Sequence, residues 1–218
     1  MIIISKIRQI LNRFLDKKVK KKLLFCDSTA EISHKSLIVG YNRLKMMEYS
    51  LIQPGAKIIL TGGNLIIGRW TSISYNVTII SGNHIPTVGI PQHMGDRIHL
   101  NDKEKDIIIG DDCWVCANST LLTGTRLGRG CVVAACAVVN KEIPPYAVVA
   151  GVPAKIVAVK FSKDQILMHE KMLYNKNERL SENELEKLFS DYYQGLKIIG
   201  SDELSPENYK KFKTQYNL

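Results

Sequence analysis

The chain has 218 residues, a formal net charge of +9 and an apolar share of 45%, which bounds it to one domain of ordinary size with at most an appendage. No segment is apolar for long enough to span a bilayer, and charges interrupt every apolar run near the start, so a secretory leader is not expected there. Five cysteines in such a chain predict free thiols in a reducing compartment, hence a cytoplasmic protein.

In chain order, residues 1–24 come first. Ile3, Ile7, Ile10, Leu11 and Phe14 recur at helical spacing, and Lys17, Lys18, Lys20, Lys21 and Lys22 follow. This predicts a basic amphipathic helix. It either caps the fold, the preferred reading, or rests on an anionic membrane surface. Beyond it, Ile32, Ile58 and Leu65 read as strand material without a clear phase. A sharper pattern begins at Ile67. Ile67, Ile73 and Ile79 each open a run of six residues, and the last run ends at His84. Residues of about 85–107 break the pattern with Pro86, Pro91, His93, His99 and the charged run Asn101 to Asp106, so they are expected to project as a loop.

From Ile109 to Pro144 the sixes return. Ile109, Val115, Leu121, Leu127, Val133 and Val139 hold the first positions, and Cys113, Ser119, Thr125, Cys131 and Ala137 hold the fifth. Neither a helix nor an alternating strand has this period. A hexad repeat predicts a β-solenoid in which each hexad is one flat side of a triangular prism. First-position residues point inward, and small fifth-position residues fit where the interior narrows. Gly110 and Gly128 fall at corners. Cys113 and Cys116 form a C-x-x-C, but the register places one inside and the other at a corner, so a zinc or redox pair is not expected and no metal is assigned. Prolines near 144 and 153 end the coils. Ser162 with Gln165 and Ser181 with Glu184 then open helices, and Ser205-Pro206 opens a third. The predicted organisation is therefore residues 1–24, a solenoid domain over 25–160 and a helical appendage over 161–218.

The hexads, the tail IPPYAVVAGVPAKIV and the segment GNHIPTVGIPQHMGD together resemble the left-handed parallel β-helix acetyltransferases. The resemblance is to the xenobiotic and maltose/galactoside O-acetyltransferase branch, and within it to acetyltransferases of capsular and other surface polysaccharides. It covers roughly residues 60–195. It implies a left-handed prism, acetyl-CoA as co-substrate, a carbohydrate acceptor and a homotrimer with active sites between neighbouring prisms. His84, in the pair Asn83-His84, matches the catalytic histidine, which would take a proton from the acceptor hydroxyl. Ala117 and Ala135 match the small residues along which the pantetheine arm lies, and Trp114 matches a tryptophan beside that arm. Asn140, Lys141 and Lys155 match positions that meet the adenosine phosphates. Asn83, His93 and Asp96 are assigned to the acceptor side. His93 and His99 lack a matched motif and are expected to be solvated or to touch the acceptor. Where the family often has glycine and serine, this chain has Cys116, Ala117 and Cys136, and Ile85 stands where arginine is common.

The reading is thus an acetyl-CoA-dependent O-acetyltransferase of surface polysaccharide biosynthesis. A streptogramin-type xenobiotic acetyltransferase and an amino-sugar N-acetyltransferase keep the chemistry and change the acceptor. A zinc hydratase of the γ-carbonic anhydrase type would need three converging histidines. A non-enzymatic solenoid is the last alternative.

Overall fold

In the structure, a computed structural model, residues 2–216 are described, and side chains from residue 5 to residue 215. The Ile3 side chain and residues 217–218 of the C-terminal segment fall outside those described. The chain divides into two compact units, Met1–Val157 and Ala158–Leu218.

The first unit is a parallel β-solenoid of the left-handed β-helix class, built from three ladders of short strands. One ladder joins Phe25–Cys26, Leu44–Met46, Leu65–Ile67, Ile107–Ile109, Arg126–Leu127 and Glu142–Ile143. The second includes Glu31–Ile32, Leu51–Ile52, Ser72–Ile73, Trp114–Val115, Val132–Val133 and Ala147–Ala150. The third joins Leu37–Val39, Lys57–Ile59, Thr78–Ile80, Thr120–Leu122 and Val138–Val139. Each pairing among these strands is between one coil and the next, which is how a solenoid satisfies its backbone without a thick core.

The hexad phase holds from Ile67 to Ile79 and from Ile109 to Val139. The first-position residues Ile67, Ile73, Ile79, Ile109, Val115, Leu121, Leu127, Val133 and Val139 are all buried, as are Cys113, Ser119, Thr125, Cys131 and Ala137. Ser119 and Thr125 offset their burial by donating to the Cys116 and Val139 carbonyls. Cys113 and Cys131 are free thiols whose sulfurs face the carbonyls of Gly128 and Pro144 at 3.2 and 3.1 Å, while Cys116 sits half-buried at a corner. Gly110 is required by close approach: a β-carbon there would lie 2.7 Å from the Arg129 nitrogen of the next coil.

The weak phase before residue 65 has a structural cause. Trp114 pairs with Val132 at an interval of eighteen, whereas Phe25 pairs with Lys45 and Leu44 with Leu65, intervals of twenty and twenty-one. The extra residues enter at one corner only, between the third ladder and the first. A 3₁₀ turn over Tyr41–Arg43 occupies it in one coil and Gly62-Gly63 in the next. The long loop leaves from the same corner after Ile80 and returns at Ile107.

Helix α1, Ile2–Lys20, precedes the first coil. It is held through polar contacts rather than the expected apolar face. Asp16 accepts from the His34 backbone N–H at 2.7 Å, and Lys20 donates to the Ala30 carbonyl at 2.7 Å. Ile7, Ile10, Leu11 and Phe14 are each more than half exposed. Among the described residues, no helix is long and apolar enough to cross a membrane.

The loop carries a short helix, α2, over Gln92–Arg97. In the second unit, α3 (Lys163–Leu173) and α4 (Glu182–Leu188) begin with the predicted capping boxes on Ser162 and Ser181. A last helix, α5, runs over Pro206–Tyr216 behind Ser205, whose hydroxyl accepts from the Asn208 N–H.

Candidate active site

The loop that leaves after Ile80 is short of regular structure, so its shape depends on where it is pinned. Its returning limb is tied to the coils. Thr61 donates to the Glu104 carboxylate at 2.6 Å, Asp106 accepts from the Asn64 backbone at 2.8 Å, and the Lys105 N–H reaches Thr123 at 2.9 Å. Gly63 permits this approach, since a β-carbon there would lie 2.2 Å from the Lys105 carbonyl oxygen. Higher in the loop, Asn101 donates to Thr87 at 3.0 Å and joins the outgoing limb to the returning one.

These ties bring Asp102 back to His84. The His84 ring nitrogen Nδ1 lies 3.1 Å from Asp102 Oδ2 and 3.3 Å from Oδ1. The Asp102 side chain is only 9% exposed, against 41% for His84. His99 makes the same contact, with its Nδ1 3.0 Å from Asp102 Oδ2 and its ring centroid 5.7 Å from that of His84. Asp96, on α2, places Oδ1 3.9 Å from His84 Nδ1 and also accepts from Gln92.

The electrostatics fix the tautomer. Desolvation works to raise the Asp102 carboxyl, but hydrogen bonds from His99 and His84, with their charge, outweigh it and hold the group below the usual carboxylate range. The folded state therefore favours the ionised form. Its contribution to stability is complete above the ordinary carboxylate range and is lost as pH falls through the lowered value. An ionised carboxylate can only accept, so Nδ1 of a neutral His84 carries the hydrogen. That leaves a lone pair on Nε2, and the ring is half exposed at the solenoid edge. Such a group can take a proton from a bound hydroxyl.

Of the residues assigned to the acceptor side, Asp96 meets His84, and Asn83 precedes it at the same corner. Among the described residues His84 meets Asp96, Asp102 and His99 but not His93, which is exposed on α2. The Asp102 partner escaped sequence reading. Its one signal was a charged run in a segment with no period from which to infer direction.

The residues assigned to the donor lie at both edges of the third ladder. Ala117 and Ala135 occupy the corner before it, stacked through the Cys136 N–H to Ala117 carbonyl bond at 3.1 Å. Trp114 stands on the neighbouring ladder, 55% exposed, paired with Ser72 and Val132. Asn140 and Lys141 occupy the corner after it, the corner of His84. With Asn83, Lys103, Lys105 and Arg126 they line an open cleft of about 780 Å³. Sequence reading missed those last three cations. Lys155 is exposed on the strand Lys155–Val159. In one chain, then, Ala117 and His84 stand at opposite edges of one flat side.

Residues 106–141 match the family described as "Bacterial transferase hexapeptide (six repeats)". Over 136 residues the chain is 28% identical to a probable macrolide acetyltransferase of Lysinibacillus sphaericus, covering 62% of this chain and 69% of that protein. It spans between 21% and 39% of the length of other curated relatives it matches, which include chloramphenicol and tetrahydropyridine-dicarboxylate acetyltransferases. Among solved structures, it is similar in fold to a hexapeptide-repeat acetyltransferase of Vibrio cholerae O1 biovar eltor complexed with acetyl-CoA, with a TM-score of 0.59 and 21% identity over 66% of this chain and 75% of that one. It is likewise similar to the polySia-specific acetyltransferase NeuO, with a TM-score of 0.53 and 23% identity over 67% and 71%.

Proposed function

From a chain whose residues 106–141 match the hexapeptide-repeat transferases, we propose acetyl transfer from acetyl-CoA to a hydroxyl of a carbohydrate, in the building of a surface polysaccharide. The observation that carries the reading is the His84–Asp102 pair at the edge of the solenoid, with Nε2 left as a base. The acceptor hydroxyl gives its proton to Nε2 as its oxygen bonds to the thioester carbon. The tetrahedral intermediate then expels the CoA sulfur, which recovers that proton from the imidazolium. Asp102 holds the ring in the correct tautomer and stabilises its charged form. Acetyl-CoA-bound and polySia-specific neighbours of the same fold support the donor and acceptor classes. The test is CoA release from acetyl-CoA with a panel of sugars, oligosaccharides, amino sugars and macrolide or streptogramin drugs. A macrolide as the one productive acceptor would favour the second reading, drug inactivation, which the Lysinibacillus relative supports.

The separation of Ala117 and Ala135 from His84 across one flat side supports a homotrimer, in which the donor groove of one prism meets the base of the next. Sedimentation should give three chains per particle. A fully active monomer would exclude it.

Asp102→Ala should lower kcat by about ten- to hundredfold, because a hydrogen bond to a charged group is lost just as the ring becomes positive. The KM for acetyl-CoA should hold. An unchanged kcat would remove Asp102 from the mechanism.

Lys155→Ala should raise the KM for acetyl-CoA severalfold with little change in kcat. A phosphate contact far from the thioester is equally strong in the ground and transition states. An unaltered KM would end the assignment.

A further inference from the structure

We propose that His84, His99 and Asp102 form a binding site for a divalent transition metal of the zinc type, and that the bound metal switches transfer off. The switching rests on His84 acting as the base. The binding does not.

One ring nitrogen of each histidine and an Asp102 oxygen lie within 4.8 Å of one another. Two of the three edges are already short, 3.1 Å from Asp102 to His84 and 3.0 Å from Asp102 to His99. Ligands about 2.0–2.2 Å from a tetrahedral zinc stand about 3.3–3.5 Å apart. Those two edges therefore open by a few tenths of an ångström, and the imidazole–imidazole edge closes by rotation of two exposed rings. Two imidazoles and one carboxylate suit zinc and its neighbours. Calcium and magnesium prefer all-oxygen shells. The carboxylate is the fixed member, 9% exposed, while His84 and His99 are 41% and 61% exposed and open to an ion from solvent. His99 reaches this place from a left-handed backbone, φ 51°, in a loop whose returning limb is tied to the coil through Glu104 and to the outgoing limb through Asn101. Asp96 Oδ1 lies 3.9 Å from His84 Nδ1 and is not one of the three grouped ligands.

Coordination consumes the same edge of His84 that Asp102 uses for catalysis. When Nδ1 binds the metal, the ring proton of a neutral imidazole resides on Nε2. Nε2 then has no lone pair for the acceptor proton. Metal binding and base function exclude each other without any movement of the solenoid.

The test uses the full chain, stripped of metal with a chelator and titrated with Zn2+ by calorimetry, with Co2+ absorption as a second probe of the ligand set. One ion per chain is expected, with kcat falling in step with occupancy and returning on chelation. His99→Ala should weaken Zn2+ binding by more than about tenfold. Whatever transfer that variant retains should ignore Zn2+ at concentrations that silence the wild type. Absence of stoichiometric binding would overturn the site. So would a His99→Ala variant that binds and is inhibited like the wild type, since the metal would then reside elsewhere, on the thiols of Cys116 or Cys136 for example. Binding that needs His99 but leaves transfer unchanged would overturn the switch. Loss of the base reading itself is seen separately, in metal-free His84→Ala.

Discussion

His84→Ala should abolish measurable acetyl transfer, lowering kcat by about 10² to 10⁴, the usual worth of a positioned general base. Fold and acetyl-CoA binding should survive. The side chain is 41% exposed, and its partners Asp96, Asp102 and His99 all belong to the loop, not to the buried stack. Removing it empties no cavity in the prism. A variant that keeps more than about a tenth of wild-type kcat would put the base elsewhere, and His99, which shares Asp102, would be examined next.

Leu121→Ala should cost about 2–5 kcal/mol of stability. Leu121 is fully buried in the third ladder, paired with Ile79 on one side and Val139 on the other. A solenoid holds its coils together only through such nearest-neighbour contacts, so a void in one coil weakens the interfaces on both sides of it. Chemical denaturation should show the lower midpoint, with acetyl-CoA binding retained below the transition. A loss under about 1 kcal/mol would mean that the coils relax into the gap far better than close packing allows.

Both predictions separate the scaffold from the chemistry, and legibility in the sequence divides along the same line. The coils were readable because each repeats a demand on its neighbour. Ile79, Leu121 and Val139 must all be inward and apolar, so the period shows in the letters. The same stacking put Ala117 beside Ala135, and the capping boxes at Ser162 and Ser181 were readable from local hydrogen-bond chemistry. The irregular corner was not readable. Inserting two or three residues there, in the coils before residue 65, changes the count without changing which residues are inside, so an eighteen-residue ruler loses its place. His84 could be singled out from its motif and its position at the end of a hexad. Its partner could not. Asp102 is eighteen residues farther on in a segment without period, and only the ties from Thr61, Asn64 and Thr123 fold that segment back. A repeat fixes a residue's direction because every copy obeys the same packing constraint. A loop has no copies, and the tertiary hydrogen bonds that pin it decide which carboxylate meets which imidazole.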